Sequence, residues 1–221
     1  MKLVMFDMDG TLIDTEALIT EHMAVTFTSA GLTPPTPAQS RRVIGLSLPV
    51  AMARLLGSDD TDLANRLADE YRAHYRASLL TSEGREGLFP GALDALNLLR
   101  DRADTLLGIA TGKGLFGVHR LTALHGLADH FVTLQTPDHN PSKPHPGMML
   151  RAMAETGAEA SDTVIIGDTT FDIEMGKAAG TKAIGVTWGY HQPEELIAAG
   201  ADLLVTSYDE LPAAIDAVME S

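Results

Sequence analysis

Two aspartates stand two residues apart at the end of a short apolar run near the start of the chain. Residues 3–6 are apolar, and Asp7, Asp9, Gly10 and Thr11 follow directly, which is typical of a buried strand that opens onto a polar turn. Because side chains alternate along a strand, both carboxylates point to the same side. Neighbouring like charges repel, so the pair is either solvated, shares a proton or binds a cation.

Polar residues also follow three later apolar runs. In chain order they are Thr111 and Gly112, then Lys143 in a proline-rich loop, then Asp168 and Asp172. Each has an ordinary explanation, since a threonine after a strand often caps a helix and a loop lysine is mostly solvated. The carboxyl ends of parallel strands, however, meet at one edge of a sheet. We therefore expect all these residues to converge on one site.

The elements that must position these residues alternate along the chain. Apolar runs that predict strands cover 3–6, 106–110, 131–134, 164–166, 183–186 and 203–205. Helical patterns cover 92–100, 115–124, 148–156, 172–179 and 211–219. Repeated strand-helix units predict an α/β fold, a Rossmann-like, doubly wound parallel sheet with helices on both faces.

Residues 15–83 interrupt this alternation with helical patterns alone. Ile19, Met23 and Phe27 recur every fourth residue and predict one apolar helix face. Further helices are predicted over 36–44, over 47–57 and from residue 60 onward. The chain is thus expected to form an α/β core, residues 1–14 and 84–221, with an inserted helical cap, residues 15–83. Residues 84–87 would form a flexible return. Because the insertion begins just after the first strand, its two ends must lie close together at the edge where Asp7 and Asp9 stand, which is the position of a lid.

The composition excludes several kinds of partner. The formal net charge is −14 and no run of Lys or Arg offsets it, so we expect neither nucleic acid nor a membrane as a partner. The chain has no cysteine, which removes disulfides, thiolate metal sites and a cysteine nucleophile. The first apolar run is too short for a signal peptide, and none approaches the ~18 residues of a membrane span. A cytoplasmic, soluble monomer or homodimer is expected.

The motifs together resemble the haloacid dehalogenase-like superfamily, and specifically its phosphatases with a helical cap after the first motif. The resemblance rests on Asp7-Met8-Asp9-Gly10-Thr11-Leu12, Thr111, Ser142-Lys143-Pro144-His145-Pro146 and Gly167-Asp168-Thr169-Thr170-Phe171-Asp172. It spans the whole chain in order, and the first and last motifs are the most specific. A narrower similarity to the phosphoglycolate phosphatase group rests on Leu12-Ile13-Asp14-Thr15 and Phe89-Pro90-Gly91.

The resemblance implies a Mg²⁺-dependent phosphatase that hydrolyses a small phosphorylated metabolite through an aspartyl-phosphate. Its implied catalytic residues are Asp7 as nucleophile, Asp9 as general acid and base, Thr111 and Lys143. Its implied Mg²⁺ ligands are Asp7, the backbone carbonyl of Asp9, Asp168 and, directly or through water, Asp172. Its implied phosphate-binding residues are Gly10, Thr111, Gly112 and Lys143.

Two features of the sequence qualify this interpretation. Family members often carry Asn after the Thr of the second motif, where this chain has Gly112, so a side-chain contact is lost there. In the cap, Arg42, Gly45 and Leu46 lie in a turn expected to reach into the site. An arginine there is suited to a substrate carboxylate, and a solvated basic turn is the alternative.

Other functions remain open at this point. Residues 112–117 match GxGxxG after a strand, but the acid that a dinucleotide site needs about 20 residues on is missing. A sugar phosphomutase and a pyrophosphatase would use the same motifs. A signalling receiver module also phosphorylates an aspartate beside Mg²⁺, but needs no helical insertion and no general acid. A binding protein without turnover is the last alternative.

Overall fold

The computed structural model describes residues 1–79 and 85–220. Its strands in chain order are β1 (Lys2–Phe6), β2 (Ile13–Asp14), β3 (Gly87–Leu88), β4 (Thr105–Ala110), β5 (Thr133–Gln135), β6 (Thr163–Gly167), β7 (Lys182–Val186) and β8 (Leu203–Val205). Six of them form one parallel sheet in the order β5-β4-β1-β6-β7-β8. The first strand thus lies in the middle of the sheet, with β4 and β6 as its neighbours.

Some helices cover the two faces of this sheet, and others form a separate layer at its carboxyl edge. In chain order they are α1 (Glu16–Ser29), α2 (Pro37–Arg41), α3 (Leu48–Leu56), α4 (Thr61–Ser78), α5 (Ala92–Arg100), α6 (Leu115–Leu124), α7 (Gly147–Thr156), α8 (Thr170–Ala178), α9 (Pro193–Ala198) and α10 (Leu211–Met219). The predicted α/β class is confirmed, and among the described residues no helix is long and apolar enough to cross a membrane.

The alternation of side chains along β1 explains why helices cover both faces. Val4 and Phe6 belong to one buried apolar cluster, whereas Leu3 and Met5 belong to another. A strand with two apolar faces is stable only when both are covered. The polar residues that follow β1 therefore emerge at the carboxyl edge of a fully enclosed sheet.

Helices α1 to α4 pack together around an apolar cluster of their own. The predicted face of α1 is confirmed, because Ile19, Met23 and Phe27 are all buried in this cluster. Two aromatic residues from outside the insertion, Phe171 and Tyr190, complete it. The helical insertion therefore packs directly against the first turn of α8 and against the loop that follows β7.

The two links between insertion and sheet run side by side. Strands β2 and β3 pair antiparallel, with Ile13 opposite Leu88, a small sheet that the sequence did not predict. The predicted boundary between residues 83 and 84 lies outside the described residues. Of the return predicted as flexible over 84–87, residue 84 also lies outside them. Glu86 in that return is buried and ion-paired with Arg120.

Three local predictions differ from the structure. The helix predicted over 36–44 ends at Arg41, because the next residues turn so that Val43, Ile44 and Leu46 become buried. The strand predicted over 131–134 is instead β5, and α9 was not predicted at all. Short elements with little periodicity depend on packing more than on local pattern.

Candidate active site

The first motif lies where β1 ends, and a glycine turns the chain back over it. Gly10 has a backbone φ of +87°, and a Cβ atom placed on it would lie 2.4 Å from Oδ2 of Asp168. Only glycine adopts this conformation readily and leaves that room. The side chains of Asp7 and Asp9 are both buried, which rules out the solvated acidic turn considered from the sequence.

Lys143 supplies the cation at the centre of the site. Its Nζ lies 2.8 Å from Oδ1 of Asp7 and 2.5 Å from Oδ1 of Asp172, and all three side chains are fully buried. Burial disfavours the ammonium, but the carboxylates of Asp172 and Asp7 raise the pKa of Lys143 above its usual value. Lys143 therefore stays charged and is not a solvated loop lysine.

Three carboxylates that follow the neighbouring strands β1 and β6 form a cluster, and two of them, Asp7 and Asp172, contact this lysine. Oxygen atoms of Asp7, Asp168 and Asp172 lie within 4.8 Å of one another. Burial raises the pKa of Asp7 to about 7, with Lys143 opposing the shift and Asp172 adding to it. Burial and the charge of Asp7 raise the pKa of Asp168 well above its usual value. The cluster thus resists carrying all of its negative charges at once.

Two of these carboxylates are held by neighbouring donors. The Thr11 hydroxyl donates to Oδ1 of Asp168 at 2.8 Å, and the Tyr190 backbone N–H donates to Oδ2 at 2.9 Å. The Thr169 N–H and hydroxyl donate to Oδ2 of Asp172 at 3.1 and 2.6 Å. Each of these two aspartates is therefore fixed in one orientation.

The cluster fits a divalent metal ion. Oδ2 of Asp7 is buried and accepts no hydrogen bond from the described residues, whereas Oδ1 lies 2.8 Å from the Lys143 ammonium. Three carboxylates against one ammonium leave an excess of two negative charges. Hard oxygen ligands of this kind suit Mg²⁺ or a similar cation. A divalent cation would neutralise that excess and give the buried Oδ2 of Asp7 a partner.

The side chain of Asp9 points away from this cluster, into the space beneath the helical insertion. Its Oδ1 accepts a hydrogen bond from the Thr15 hydroxyl at 2.7 Å and lies 3.1 Å from Nζ of Lys113. Thr15 in turn contacts the Tyr190 hydroxyl at 3.3 Å. Asp7 and Asp9 therefore separate, one carboxylate facing the acidic cluster and the other facing the insertion.

The second motif lies beside the first, because β4 pairs with β1. Thr111 is buried, and its hydroxyl accepts a hydrogen bond from the Lys113 backbone N–H at 3.2 Å. A Cβ atom on Gly112 would lie 2.5 Å from the carbonyl oxygens of both Gly45 and Leu46. The departure from the family pattern at Gly112 thus gives space to the turn of the helical insertion.

A cavity of about 150 Å³ lies between this turn and the second motif. Asp9 and Lys113 line it, and most of the other residues around it are apolar or aromatic, among them Tyr71 and Tyr75. Gly45 and Leu46, expected from the sequence to reach into the site, line this cavity. The cavity therefore lies on the side of the site that Asp9 faces.

Arg42 does not line this cavity. Its guanidinium lies 2.9 Å from the carboxylate of Glu195 on α9, and the arginine side chain is 52% exposed. The structure therefore places Arg42 in a surface ion pair between insertion and core, the solvated alternative considered from the sequence.

Sequence reasoning missed five residues that shape the site. Lys113 and Tyr75 border the cavity, Glu86 and Arg120 pair with each other and contact the Tyr75 hydroxyl, and the Tyr190 backbone N–H holds Asp168. Only Lys113 carried a usable signal, because it stands two residues after Thr111. The others come from distant elements, and their patterns match ordinary core and surface positions.

Comparisons with known proteins agree with this geometry. A family model described as haloacid dehalogenase-like hydrolase matches residues 4–186. The chain is 35% identical to "Probable phosphatase IndB" of Dickeya dadantii, over 99% of this chain and 95% of that one. It is 34% identical to an N-acetylmuramic acid 6-phosphate phosphatase of Pseudomonas aeruginosa, over 98% and 95%.

A solved structure extends the agreement to the fold. It is that of a "predicted phosphatase" from Clostridium acetobutylicum, 25% identical, with a TM-score of 0.87 over 100% of this chain and 99% of that one. The sequence similarity, the fold and the geometry of the site therefore agree. This chain belongs to the haloacid dehalogenase-like hydrolase family and is one of its phosphatases.

Proposed function

We propose that this chain is a Mg²⁺-dependent phosphatase that hydrolyses small-molecule phosphomonoesters through an aspartyl-phosphate on Asp7. One observation carries the proposal. Oδ2 of the buried Asp7 carboxylate accepts no hydrogen bond from the described residues, while the Lys143 ammonium lies 2.8 Å from Oδ1. A carboxylate with one free oxygen beside a fixed cation is suited to nucleophilic attack on a phosphoryl group.

The first half-reaction uses Asp7 and Asp9 together. An Asp7 oxygen attacks phosphorus and forms a P–O bond, while the bond between phosphorus and the substrate oxygen breaks. The Asp9 carboxyl gives its proton to that leaving oxygen, so that an alcohol departs. The orientation of Asp9 toward the cavity suits this role, because the alcohol part of the substrate would lie there.

The second half-reaction returns the enzyme to its starting state. A water molecule attacks phosphorus, the Asp9 carboxylate takes its proton, and the bond between phosphorus and Asp7 breaks. Lys143 stabilises the negative charges of Asp7 and of the phosphoryl group in both half-reactions. At ~4 Å, each repulsion between unit charges would otherwise cost about 4 kcal/mol at an effective dielectric constant near 20.

The metal ion would be held by Asp7, Asp168 and Asp172, with the backbone carbonyl of Asp9 as a further ligand. When bound, Mg²⁺ would supply positive charge to the phosphoryl oxygens. Thr111 and the backbone N–H groups near Gly10 and Gly112 would bind the same oxygens. The raised pKa values of Asp7 and Asp168 support a site built to bind a cation.

The helical insertion, residues 15–83, would act as the cap domain of this enzyme and residues 1–14 and 84–221 as its catalytic core. The buried turn at Gly45 and Leu46 lies against Gly112, so that closing the cap excludes water from the site. The cavity of about 150 Å³ favours a small metabolite. The net charge of −14 disfavours nucleic acid and anionic membranes as substrates.

The test is phosphate release from a panel of phosphomonoesters and pyrophosphate, with Mg²⁺ and with excess chelator. We expect many turnovers on at least one monoester and none with chelator. A single burst equal to the enzyme concentration would instead indicate a phospho-accepting module. Transfer of phosphate to a second sugar hydroxyl, without release, would indicate a phosphomutase. Sustained turnover confined to pyrophosphate would replace monoesters as the substrate class.

A further inference from the structure

Lys113 places an ammonium group inside the cavity. Its Nζ lies 3.1 Å from Oδ1 of Asp9 and 5.5 Å from the centre of the Tyr75 ring, and its side chain is 12% exposed. Among the described residues, Asp9 is its one ion-pair partner. An ammonium has three N–H donors, so Lys113 retains donors for a ligand in the cavity.

The loop around Lys113 is shaped to hold this side chain. A Cβ atom on Gly117 would lie 2.8 Å from both Cγ and Cδ of Lys113. On the other side, Gly112 leaves room for the carbonyl groups of the cap turn. Gly112 and Gly117, the outer glycines of the segment that matches GxGxxG, are therefore explained without a dinucleotide. Gly117 leaves room for the Lys113 side chain, and Gly112 leaves room for the cap turn.

A buried polar network fixes the ring on which Lys113 rests. The Tyr75 hydroxyl donates to Oε1 of Glu86 at 2.8 Å, and Arg120 donates to both the Tyr75 oxygen and Glu86. Glu86 is 3% exposed in its side chain. These contacts join Tyr75 on α4, Glu86 just before β3 and Arg120 on α6. The position of Lys113 therefore depends on how the cap packs onto the core.

The other cations near the cavity are engaged elsewhere. Arg72 pairs with Asp69 at 2.7 Å, and the Arg76 guanidinium lies 5.1 Å above the ring of Phe116. The remaining walls are mainly aliphatic and aromatic. In such surroundings an ammonium with one carboxylate partner and further N–H donors facing the cavity discriminates between charged and neutral ligands, because polar groups left unpaired in a largely apolar site are costly.

We propose that Lys113 is a specificity-determining residue that binds an oxyanion on the leaving part of the substrate, a carboxylate or a second phosphoryl group. The proposal rests on the proposed function and extends it, since it names monoesters with a second negative charge as the preferred substrate class. The second charge would lie beside Asp9, where the leaving oxygen departs. Tyr75, Glu86 and Arg120 act as positioning residues for Lys113.

The first test compares matched substrates. The probes are 2-phosphoglycolate, which carries a carboxylate, pyrophosphate, which carries a second phosphoryl group, and ethyl phosphate, which carries neither. In Lys113→Met we expect kcat/KM for a charged probe to fall by roughly ten- to a hundredfold more than for ethyl phosphate. The loss should fall mainly on KM. The relative loss for the two charged probes distinguishes carboxylate from phosphoryl recognition.

Two further variants separate binding from structure. Lys113→Arg keeps the positive charge and should restore most of the preference. Lys177→Met removes a lysine whose ion pair with Asp202 lies at the surface, and it should leave the preference unchanged. Equal losses on all three probes in Lys113→Met would mean that Lys113 serves only as the counter-ion of Asp9, and would overturn the inference.

A binding measurement keeps the two proposals distinguishable. Calorimetric titration of Asp7→Asn, with and without Lys113→Met, measures affinity for 2-phosphoglycolate and ethyl phosphate without turnover. A charge preference that disappears with Lys113→Met supports the inference even if the unmodified protein proves inactive on the panel. Equal affinities for both ligands in Asp7→Asn would refute it, even if phosphatase activity is found.

Discussion

The two lysines of the site differ in what surrounds them, although the ammonium of each lies within 3.1 Å of an aspartate oxygen. Lys143 lies between Asp7 and Asp172, at the edge of the sheet, and its charge is used within the protein. Lys113 has one carboxylate partner and an aromatic face, and it borders a cavity. Under the two proposals above, the reaction itself belongs to the first region and recognition of the substrate to the second.

Among the variants that test this comparison, Asp7→Asn should have the largest effect on activity. The change removes the nucleophile and leaves a side chain of the same shape, so that turnover should fall by roughly 10⁴-fold or more. Phosphate release measures the loss, and circular dichroism checks that the fold is kept. Near-normal rates in the folded variant would remove Asp7 from the chemistry and erase the distinction between the two regions.

Lys143→Met should reduce stability as well as activity. It leaves three buried carboxylates without their cation, which should cost about 3–5 kcal/mol of unfolding free energy, or about 6–20 °C in Tm for a chain of this size. Mg²⁺ should recover part of that loss by binding the folded state. Thermal unfolding with Mg²⁺ and with chelator is the measurement. An unchanged Tm would show that Lys143 does not hold the cluster together.

Lys113→Met serves as the matched control for stability. Its ammonium is close to one carboxylate and its stem lies against Gly117, so methionine should keep the packing. The Tm of this variant should change much less than that of Lys143→Met under the same conditions. Equal losses of Tm would mean that both lysines are structural.

Gly112→Ala tests the contact between the two regions. The new methyl group would meet the carbonyl oxygens of Gly45 and Leu46 at 2.5 Å, and would displace the cap turn. We expect kcat/KM to fall by about ten- to a hundredfold, with a smaller effect on Tm. Gly114→Ala is the control, because its Cβ would meet only a side-chain atom of Asp138, at 3.6 Å. Comparable losses in both variants would argue against a specific role of the cap contact.

The smallest effect is expected from Arg42→Ala. The ion pair of Arg42 with Glu195 is substantially exposed, and exposed pairs contribute about 0–1 kcal/mol. Relative activities across the substrate panel should stay within about twofold, since the arginine does not border the cavity. A selective loss on carboxylate substrates would return Arg42 to the role first expected from the sequence.

Much of the core could be predicted because its signals are local. The run before Asp7, the pair of acids and the alternation of strands and helices each follow from a few adjacent residues. Helix bounds such as Ala92–Arg100 and Leu211–Met219 agree with the prediction. The end of the helix predicted over 36–44 does not agree, because the helix stops at Arg41 and burial of Val43 and Ile44 against other helices overrides the helical pattern there.

The sequence by itself determined the class of fold, the family and the acids that form the cluster, because strand ends in a parallel sheet bring their residues to one edge. Only the tertiary structure decided the orientation of those residues. It turned Asp9 away from Asp7, paired Arg42 with Glu195 and brought Lys113 to the cavity beside Tyr75. The reason is physical, since these contacts join elements that are far apart in the chain and depend on how the cap packs onto the core.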